Sequence, residues 1–441
     1  MPDDASRAQP PAVPYIPPTL EGAGVTVGAL RTRAWAENAD AERAAAKIVS
    51  DVRARGDAAL REHTIAFDHV AVGAFEVPQS EILEAVASIE PPMREAMARA
   101  AANIRAFHEK QASHGFIMSE REGVTLGQRV LPIDRVAIYV PGGTAAYPST
   151  LLMNAIPAKI AGVRHLSLAS PPQRDGKCAP QVLAAAAEAG VDSIYKMGGA
   201  QAIAALAFGT ETIPKVDKIV GPGNVYVSAA KRHVYGVVDI DMIAGPSEIL
   251  VIADDSADAR RVAADMLSQA EHDAMAACIL ITTSRALAEA VRAQLEKQLP
   301  TLPRREIAER SIADNARVAV VPSLAEAARL SNAVAPEHLE LCVRDPFALM
   351  GAITHAGSVF LGHYTPEAVG DYYAGPNNTL PTNGAARFAS PLSVDDFVKK
   401  SSFAYYTEAA LRRDCADVAR FARFEGLEAH ALSVESRLLP T

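Results

Sequence analysis

The residues able to do chemistry in this chain fall in a few short stretches. In Ser268-Gln269-Ala270-Glu271-His272-Asp273 a carboxamide and an imidazole stand three residues apart. That spacing sends both side chains off the same side of a helical turn. Such a pair can hold one side of a metal ion, or can be two ordinary surface residues. Ala335-Pro336-Glu337-His338-Leu339-Glu340 sets a carboxylate beside an imidazole directly after a proline. The proline points to a chain reversal facing a cleft, where histidine can move protons near neutral pH and the carboxylate can polarise water. The other reading of this stretch is a helix start with a solvated Glu337. Gly370-Asp371 opens an irregular stretch rich in glycine, proline and asparagine that runs to Thr382. Asp371 offers a hard oxygen ligand to complement His272. Glu425 and His430 stand in an otherwise helical tail.

Periodicity gives the elements that must position these groups. A helix opening near Ser256 carries Val262, Met266 and Ala270 at spacings of four and ends at Gln269–His272. Upstream, alanine- and charge-rich sequence predicts helix from Ala34 to Leu60, broken at Gly56-Asp57, and again from Gln79 to His108, restarted at Pro91-Pro92. From Val136 the pattern becomes strand-like. Apolar runs at Val136–Val140, His165–Ala169, Ser193–Lys196 and Val216–Val220 alternate with helical segments at Ser149–Ala161, Pro180–Ala189 and Ala200–Phe208. A second set of strands follows at Glu248–Ala253, Cys278–Thr283, Val318–Val321 and Val359–Leu361. Such alternation predicts parallel β-α-β units in two similar lobes. Two glycine turns, Pro141-Gly142-Gly143 and Gly221-Pro222-Gly223-Asn224, follow strands. They can bring backbone amides to a phosphate or be plain tight turns, and neither is a GxGxxG fingerprint.

Bulk properties narrow the class. A chain of 441 residues exceeds one compact core, and 49% hydrophobic with 22% charged residues fits a globular protein. A net charge of −9 with no basic block speaks against nucleic-acid or anionic-membrane partners. No apolar run reaches the roughly 18 residues of a membrane span, and the proline-rich start lacks a signal-peptide pattern. Four scattered cysteines without a CxxC pair read as reduced thiols of a cytoplasmic protein.

Taken together and in order, these stretches resemble the histidinol dehydrogenase family. The similarity runs through Val140-Pro-Gly-Gly-Thr-Ala-Ala-Tyr-Pro-Ser149, Gly198–Ile203, Lys218–Asn224, Asp241–Glu248, Ser268–Asp273, Ala335–Glu340, Gly370–Thr382 and Glu425–His430. The resemblance implies one zinc ion per subunit on Gln269, His272, Asp371 and His430, with His430 supplied by the partner in an intertwined homodimer. It implies an acid–base pair at Glu337 and His338. Substrate contacts fall on Ser247, His338 and Glu425 together with the zinc ligands. NAD contacts fall on Tyr139, Gln201 and Asn224. The expected reaction is the four-electron oxidation of L-histidinol through L-histidinal to L-histidine. The expected architecture is α/β: two atypical Rossmann-like lobes, one from 34–138 and 247–392 and an NAD-binding one from 139–246. An N-terminal arm over 1–33 and a helical dimerisation tail over 393–441 complete it. One position departs from the family pattern. Where the family usually carries histidine after Gly-Pro-Asn, this chain has Asn378. That keeps open a same-family dehydrogenase of another small alcohol, because an amide keeps hydrogen bonding but loses the titratable ring.

Overall fold

The computed structural model describes residues 16, 19–31, 39–142 and 146–439. Its parallel strands, numbered along the chain, form two sheets. One has six strands in the order β1 (Thr19–Glu21), β11 (Ala316–Val320), β10 (Ala277–Thr282), β9 (Glu248–Ala253), β12 (His338–Cys342) and β13 (Ser358–Leu361). The other has five, in the order β6 (Ser193–Lys196), β5 (His165–Ser170), β4 (Arg135–Tyr139), β7 (Lys218–Val220) and β8 (Asp239–Ile240). Both are buried on two faces, so their strands read as continuous apolar runs such as Ile249-Leu250-Val251-Ile252. A third, antiparallel sheet joins β2 (Phe116–Met118), β3 (Val124–Pro132) and β14 (Val398–Tyr406).

Each parallel sheet is sandwiched by helices. The helices Ala259–Ala270, Arg285–Gln298 and Arg305–Asn315 cover one face of the six-stranded sheet, and Leu324–Val334 covers the other. The helices Ala39–Arg55 and Asp57–Asp68 pack with Gly199–Phe208 and Val225–Val234 on one face of the five-stranded sheet. Gln79–Ser88 and Pro91–His108 join Pro148–Ala161 and Pro180–Ala189 on its other face. The segment 39–111, which the sequence reading grouped with the other lobe, therefore packs on the five-stranded sheet, and β4 lies at that sheet's centre. Sequence order could not show this, because amphipathic helices do not name the sheet they cover.

Two further expectations change. The arm expected over 1–33 lies largely outside the described residues, as does Gly143. Its described part is held, since Thr19–Glu21 pairs with Val318–Val320 as an edge strand. The tail from 393 is not wholly helical. β14 runs antiparallel to β3 from Val398↔Pro132 to Tyr406↔Val124. Nearly all of β14 is exposed, so it has no apolar–polar alternation by which to be read.

The five-stranded order places β4 between β5 and β7, so the connections leave in opposite directions on either side of β4. That arrangement opens a crevice at the carboxyl ends of β4 and β7. Gly221, just past β7, has φ +106°, and a Cβ there would lie 2.2 Å from the carbonyl oxygen of Tyr139. Only glycine fits. A buried ion pair fixes this turn. Lys231 Nζ donates to Asp241 Oδ1 at 2.5 Å and to Gly221 O at 2.6 Å, while Gly221 N donates to Asp241 Oδ2 at 2.7 Å. Removing one partner strands a charge in the interior. Lys231→Met is expected to lose about 3–5 kcal/mol in urea unfolding, and the Lys231→Met/Asp241→Leu double variant to lose less than the single one. Equal losses in both would show that the pair is not what holds the turn.

Candidate functional site

The site begins on the helix Ala259–Ala270. Asp258 caps it, its side chain accepting from Arg260 N, and Val262, Ala263, Met266, Leu267 and Ala270 bury one stripe against the sheet. That packing leaves Asp265, Gln269 and His272, at spacings of four and three, along one flank. The helix ends at Ala270. His272 sits just beyond it, its N–H donating to Gln269 O at 3.2 Å. Gln269 is fully buried and His272 half-buried.

Glu337 and His338 are neither a solvated pair nor a helix start. His338 opens β12, between β9 and β13, and both side chains are buried. Ala335 takes a left-handed conformation, φ 54° and ψ 65°, which costs a non-glycine residue about 1–2 kcal/mol. The chain reverses there before Pro336. Glu337 precedes the pleat, so the alternation of the strand does not throw it to the opposite face. The main chain of Glu248, at the start of β9, orients both groups. Glu248 N–H donates to Glu337 Oε2 at 2.8 Å, and Glu248 O lies 3.2 Å from His338 Nδ1. Ser247 immediately precedes it, half-buried.

Asp371 comes from the segment after β13, where Gly370–Ala374 forms a π-helical turn, a form frequent at functional sites. Its Oδ1 lies 3.3 Å from His338 Nε2. Asn378 Nδ2 donates to Asp371 O and to Thr150 Oγ1, both at 3.3 Å, and Asn378 Oδ1 is buried without a partner. The same segment ties the two parallel sheets together. Asn154 Nδ2 donates to Thr379 Oγ1 at 2.8 Å, Asn377 Nδ2 to Met153 O, and Gly245 N to Thr382 Oγ1 at 2.7 Å. Residues 241–247 are the whole link between β8 and β9. The amino edge of the six-stranded sheet is thereby kept beside the carboxyl edge of the five-stranded one.

Sequence reasoning missed the acids behind this cluster. Glu367 Oε1 accepts from Ser268 Oγ at 2.8 Å, and Glu367 Oε2 lies 3.9 Å from His338 Nδ1. Glu340, on the same strand face as His338, accepts from Glu367 N at 2.8 Å and hydrogen-bonds Asp265. One signal was available, the His338-x-Glu340-x-Cys342 alternation, which turns three polar groups to one face of a buried strand. Nothing marked Glu367.

Burial governs the electrostatics. It pushes Glu337 up to about 8, against the opposing pull of His338 and the Glu248 N–H. Burial alone would depress His338, but Glu337, Asp371 and Glu367 outweigh it and lift that imidazole well above its ordinary value. Burial lowers His272, which keeps its ring neutral and its lone pair available. Glu367 is raised to about 7, again by burial first. Asp265, Glu340 and Cys342 bring potential ligand atoms within 4.8 Å of one another. Burial raises all three groups, Asp265 only to about 6, and Glu340 and the Cys342 thiol keep their protons, Cys342 donating to Glu340 and Glu340 to Asp265, a poor donor set for a cation. Nearby, Gln269, His272 and Asp371 offer a carboxamide oxygen, an imidazole nitrogen and a carboxylate oxygen.

At the crevice of the five-stranded sheet, Tyr139 Oη accepts from Gly199 N at 3.0 Å, capping the helix that carries Gln201. Asn224 caps the next helix, accepting from Tyr226 N and Val227 N at 3.0 and 3.1 Å. Gln201 is buried and its Nε2 has no partner, a donor left over for a ligand. Glu425 and His430 are not brought to either cluster. Both are exposed, His430 on the helix Glu428–Glu435, which packs on the helix Glu408–Phe424.

A buried carboxylate–imidazole pair beside nitrogen and oxygen donors, across from a sheet crevice of the dinucleotide-binding order, defines an α/β enzyme of acid–base chemistry. A sequence profile of the family described as histidinol dehydrogenase matches residues 31–438. Histidinol dehydrogenase of Bacillus subtilis (strain 168) is 54% identical over 390 residues, 88% of this chain and 91% of that protein. That of Geobacillus kaustophilus (strain HTA426) is 54% identical over 396 residues, 90% and 93%. The crystal structure of histidinol dehydrogenase from Elizabethkingia anophelis matches with a TM-score of 0.89 at 41% identity, covering 93% of this chain and 95% of that one. The chain belongs to the histidinol dehydrogenase family and is an oxidoreductase. Among the described residues no helix is long and apolar enough to cross a membrane.

Raised groups at the site carry a stability signature. A folded-state value near 8 for Glu337 means that the folded chain keeps a proton the unfolded chain releases above about 4.5. Stability from this group is full below that value and is lost as pH rises through about 8. The metal-free protein is therefore expected to lose stability between pH 5 and 8, and Glu337→Gln to flatten that slope by roughly 1.4 kcal/mol per pH unit. Urea unfolding across that range, with an unchanged slope in the variant, would contradict the assignment.

Proposed function

We propose that this chain oxidises L-histidinol through L-histidinal to L-histidine, consuming two NAD and one water and releasing three protons. The observation that carries the reading is the convergence of Gln269, His272 and Asp371 around Glu337 and His338 in a chain of this family. The donor set is a carboxamide oxygen, a neutral imidazole and a carboxylate, with His430 of a second subunit as the fourth, and it fits zinc. The unpartnered Gln201 donor, with Tyr139 and Asn224 at the same crevice, fits NAD. Bound there, zinc would hold the substrate through nitrogen donors, and NAD would accept the hydrides.

The chain's own residues do the rest. A cation on the neighbouring donors would lower both His338 and Glu337 from their metal-free values, so that His338 takes the hydroxyl proton of the alcohol as the first hydride leaves its carbon. Glu337 takes a proton from the water that adds to the aldehyde, and His338 returns its proton to the new alkoxide oxygen, giving a hydrate with a second C–H to oxidise. His338 then takes a hydroxyl proton from that hydrate, and the product is the carboxylate. Ser247, beside the acid–base pair, and Glu425 of the partner complete the substrate contacts. Burial excludes bulk water and sharpens each of these interactions.

The reading includes a homodimer. The helix Glu408–Phe424 leaves Val418, Phe421 and Phe424 exposed, the last two at 71% and 88%, and Leu427 and Leu432 follow. A second copy covers such a surface and brings Glu425 and His430 to its neighbour's site. The lobe of 247–392 and the tail from 393 belong to the same proposal. Asn378, with its unpartnered Oδ1, favours a second reading, oxidation of another small alcohol. Initial rates on histidinol against a panel of small alcohols separate the two.

Glu337→Gln is expected to cut turnover by roughly 10²–10⁴ while zinc content and histidinol binding persist. Turnover within about 3-fold of wild type, far below that range, would remove Glu337 from the base role. For the shared site, inactive His272→Ala and His430→Ala proteins are mixed under subunit exchange, with heterodimers verified by mass. One composite site in each heterodimer then carries neither lesion, so up to about half the activity returns. Verified heterodimers without activity would mean that His430 serves its own subunit.

A further inference from the structure

We propose that Glu367 is a positioning residue that decides which end of the Gln269 carboxamide faces the metal position, and thereby sets metal affinity. This deepens the reading above and rests on it.

A carboxamide has two ends of nearly equal size and opposite use. Its oxygen carries lone pairs for a cation, whereas its nitrogen presents two hydrogens and has no lone pair to give. On the surface, water serves either orientation. Gln269 is fully buried, so the choice falls to its protein partners. With both ends satisfied, Nε2 donates to Glu367 Oε1 at 3.1 Å and the oxygen accepts from Glu248 N at 2.7 Å. Oε1 already accepts the Ser268 hydroxyl and serves as an acceptor, so the nitrogen end is drawn to Glu367. The oxygen is then left on the side of Glu248 N–H, the group that also holds Glu337, with a second lone pair to spare.

Glu367 is itself fixed. Ser268 Oγ donates to the same Oε1 at 2.8 Å. The Glu367 N–H donates to Glu340 Oε1 at 2.8 Å, and Glu340, 1% exposed, is braced by Asp265 one turn below Gln269 on the same helix. Glu367 also begins the short helix Glu367–Val369, which runs directly into the π-helical turn bearing Asp371. One carboxylate thus orients one candidate ligand through its side chain and is tied to a second through its main chain. Partners behind a ligand that fix its orientation are commonly worth 10–100-fold in metal affinity.

The test uses full-length, metal-stripped protein and Zn²⁺ alone, with affinity read by competition against a chromogenic chelator. Gln269→Ala serves as the reference for loss of the ligand. Glu367→Leu is expected to weaken Zn²⁺ binding by about 10–100-fold. Glu367→Gln, which keeps an acceptor but adds a competing donor, is expected to fall between it and wild type. In Gln269→Glu/Glu367→Gln the donor and acceptor are exchanged, and Zn²⁺ affinity should return to within about 3-fold of wild type, well inside the loss expected from Glu367→Leu. A merely structural role for Glu367 predicts no such rescue. A folded Glu367→Leu protein that binds Zn²⁺ like wild type, while Gln269→Ala does not, overturns the proposal. Where Glu367→Leu does not fold, a double variant no tighter than Glu367→Gln overturns it. If Gln269→Ala binds Zn²⁺ like wild type, the metal reading itself fails and this one with it.

Discussion

One peptide group sets the geometry of the site. Glu248 begins β9, where its N–H and C=O point past the sheet edge toward Glu337 and His338. The backbone of a central strand, flanked by β10 and β12 and buried on both faces, is about as rigid as a protein offers. Placing an acid and an imidazole on its two polar groups fixes both relative to each other and to Gln269, which meets the same N–H. The side chain contributes as well, since Glu248 Oε1 accepts from Asn383 N at 3.0 Å, where the segment from Asp371 comes back across the sheet. Loss of register between β9 and β12 by one residue would move His338 to the opposite face.

Around that peptide the layer between β12 and the helix Ala259–Ala270 is unusually polar. Asp265, Glu340, Glu367, Asp371 and Glu337 all lie in or beside an interface otherwise filled by Val262, Met266 and Leu267. Carboxylates in such a setting are costly unless paired, hydrogen-bonded or protonated. Each is accommodated differently. Glu340 holds a proton and donates it to Asp265, Glu337 and Glu367 accept main-chain or hydroxyl donors, and Asp371 faces His338. A cation among the Gln269, His272 and Asp371 donors would relieve the same excess of negative charge. The polar layer and the candidate metal position are therefore one electrostatic arrangement.

The two parallel sheets contribute opposite edges. The Glu337–His338 pair sits at the amino ends of β9 and β12, and the crevice with Tyr139, Gln201 and Gly221 lies at the carboxyl ends of β4 and β7. A seven-residue link and the hydrogen bonds of 377–382 to the Pro148–Ala161 helix and to Gly245 keep the edges adjacent.

Much was legible in the residues themselves. Local chemistry fixed the helix Pro180–Ala189, opened by its proline and closed by Gly190, and the strand Glu248–Ala253, whose unbroken apolar run admits only a doubly covered sheet. Long motifs identified the family. The sequence by itself did not decide which sheet the early helices cover, because an apolar stripe fits any apolar face. Nor did it show β14, whose exposed strand has no periodic burial to betray it. It left Glu337 open between solvent and interior, since burial is a property of what packs around a residue. It was silent on Glu367, Glu340 and Asp265, which matter only through atoms brought near from distant parts of the chain. Sequence records which donors and acceptors exist. Only the tertiary structure, by removing water, decides which of them must face each other.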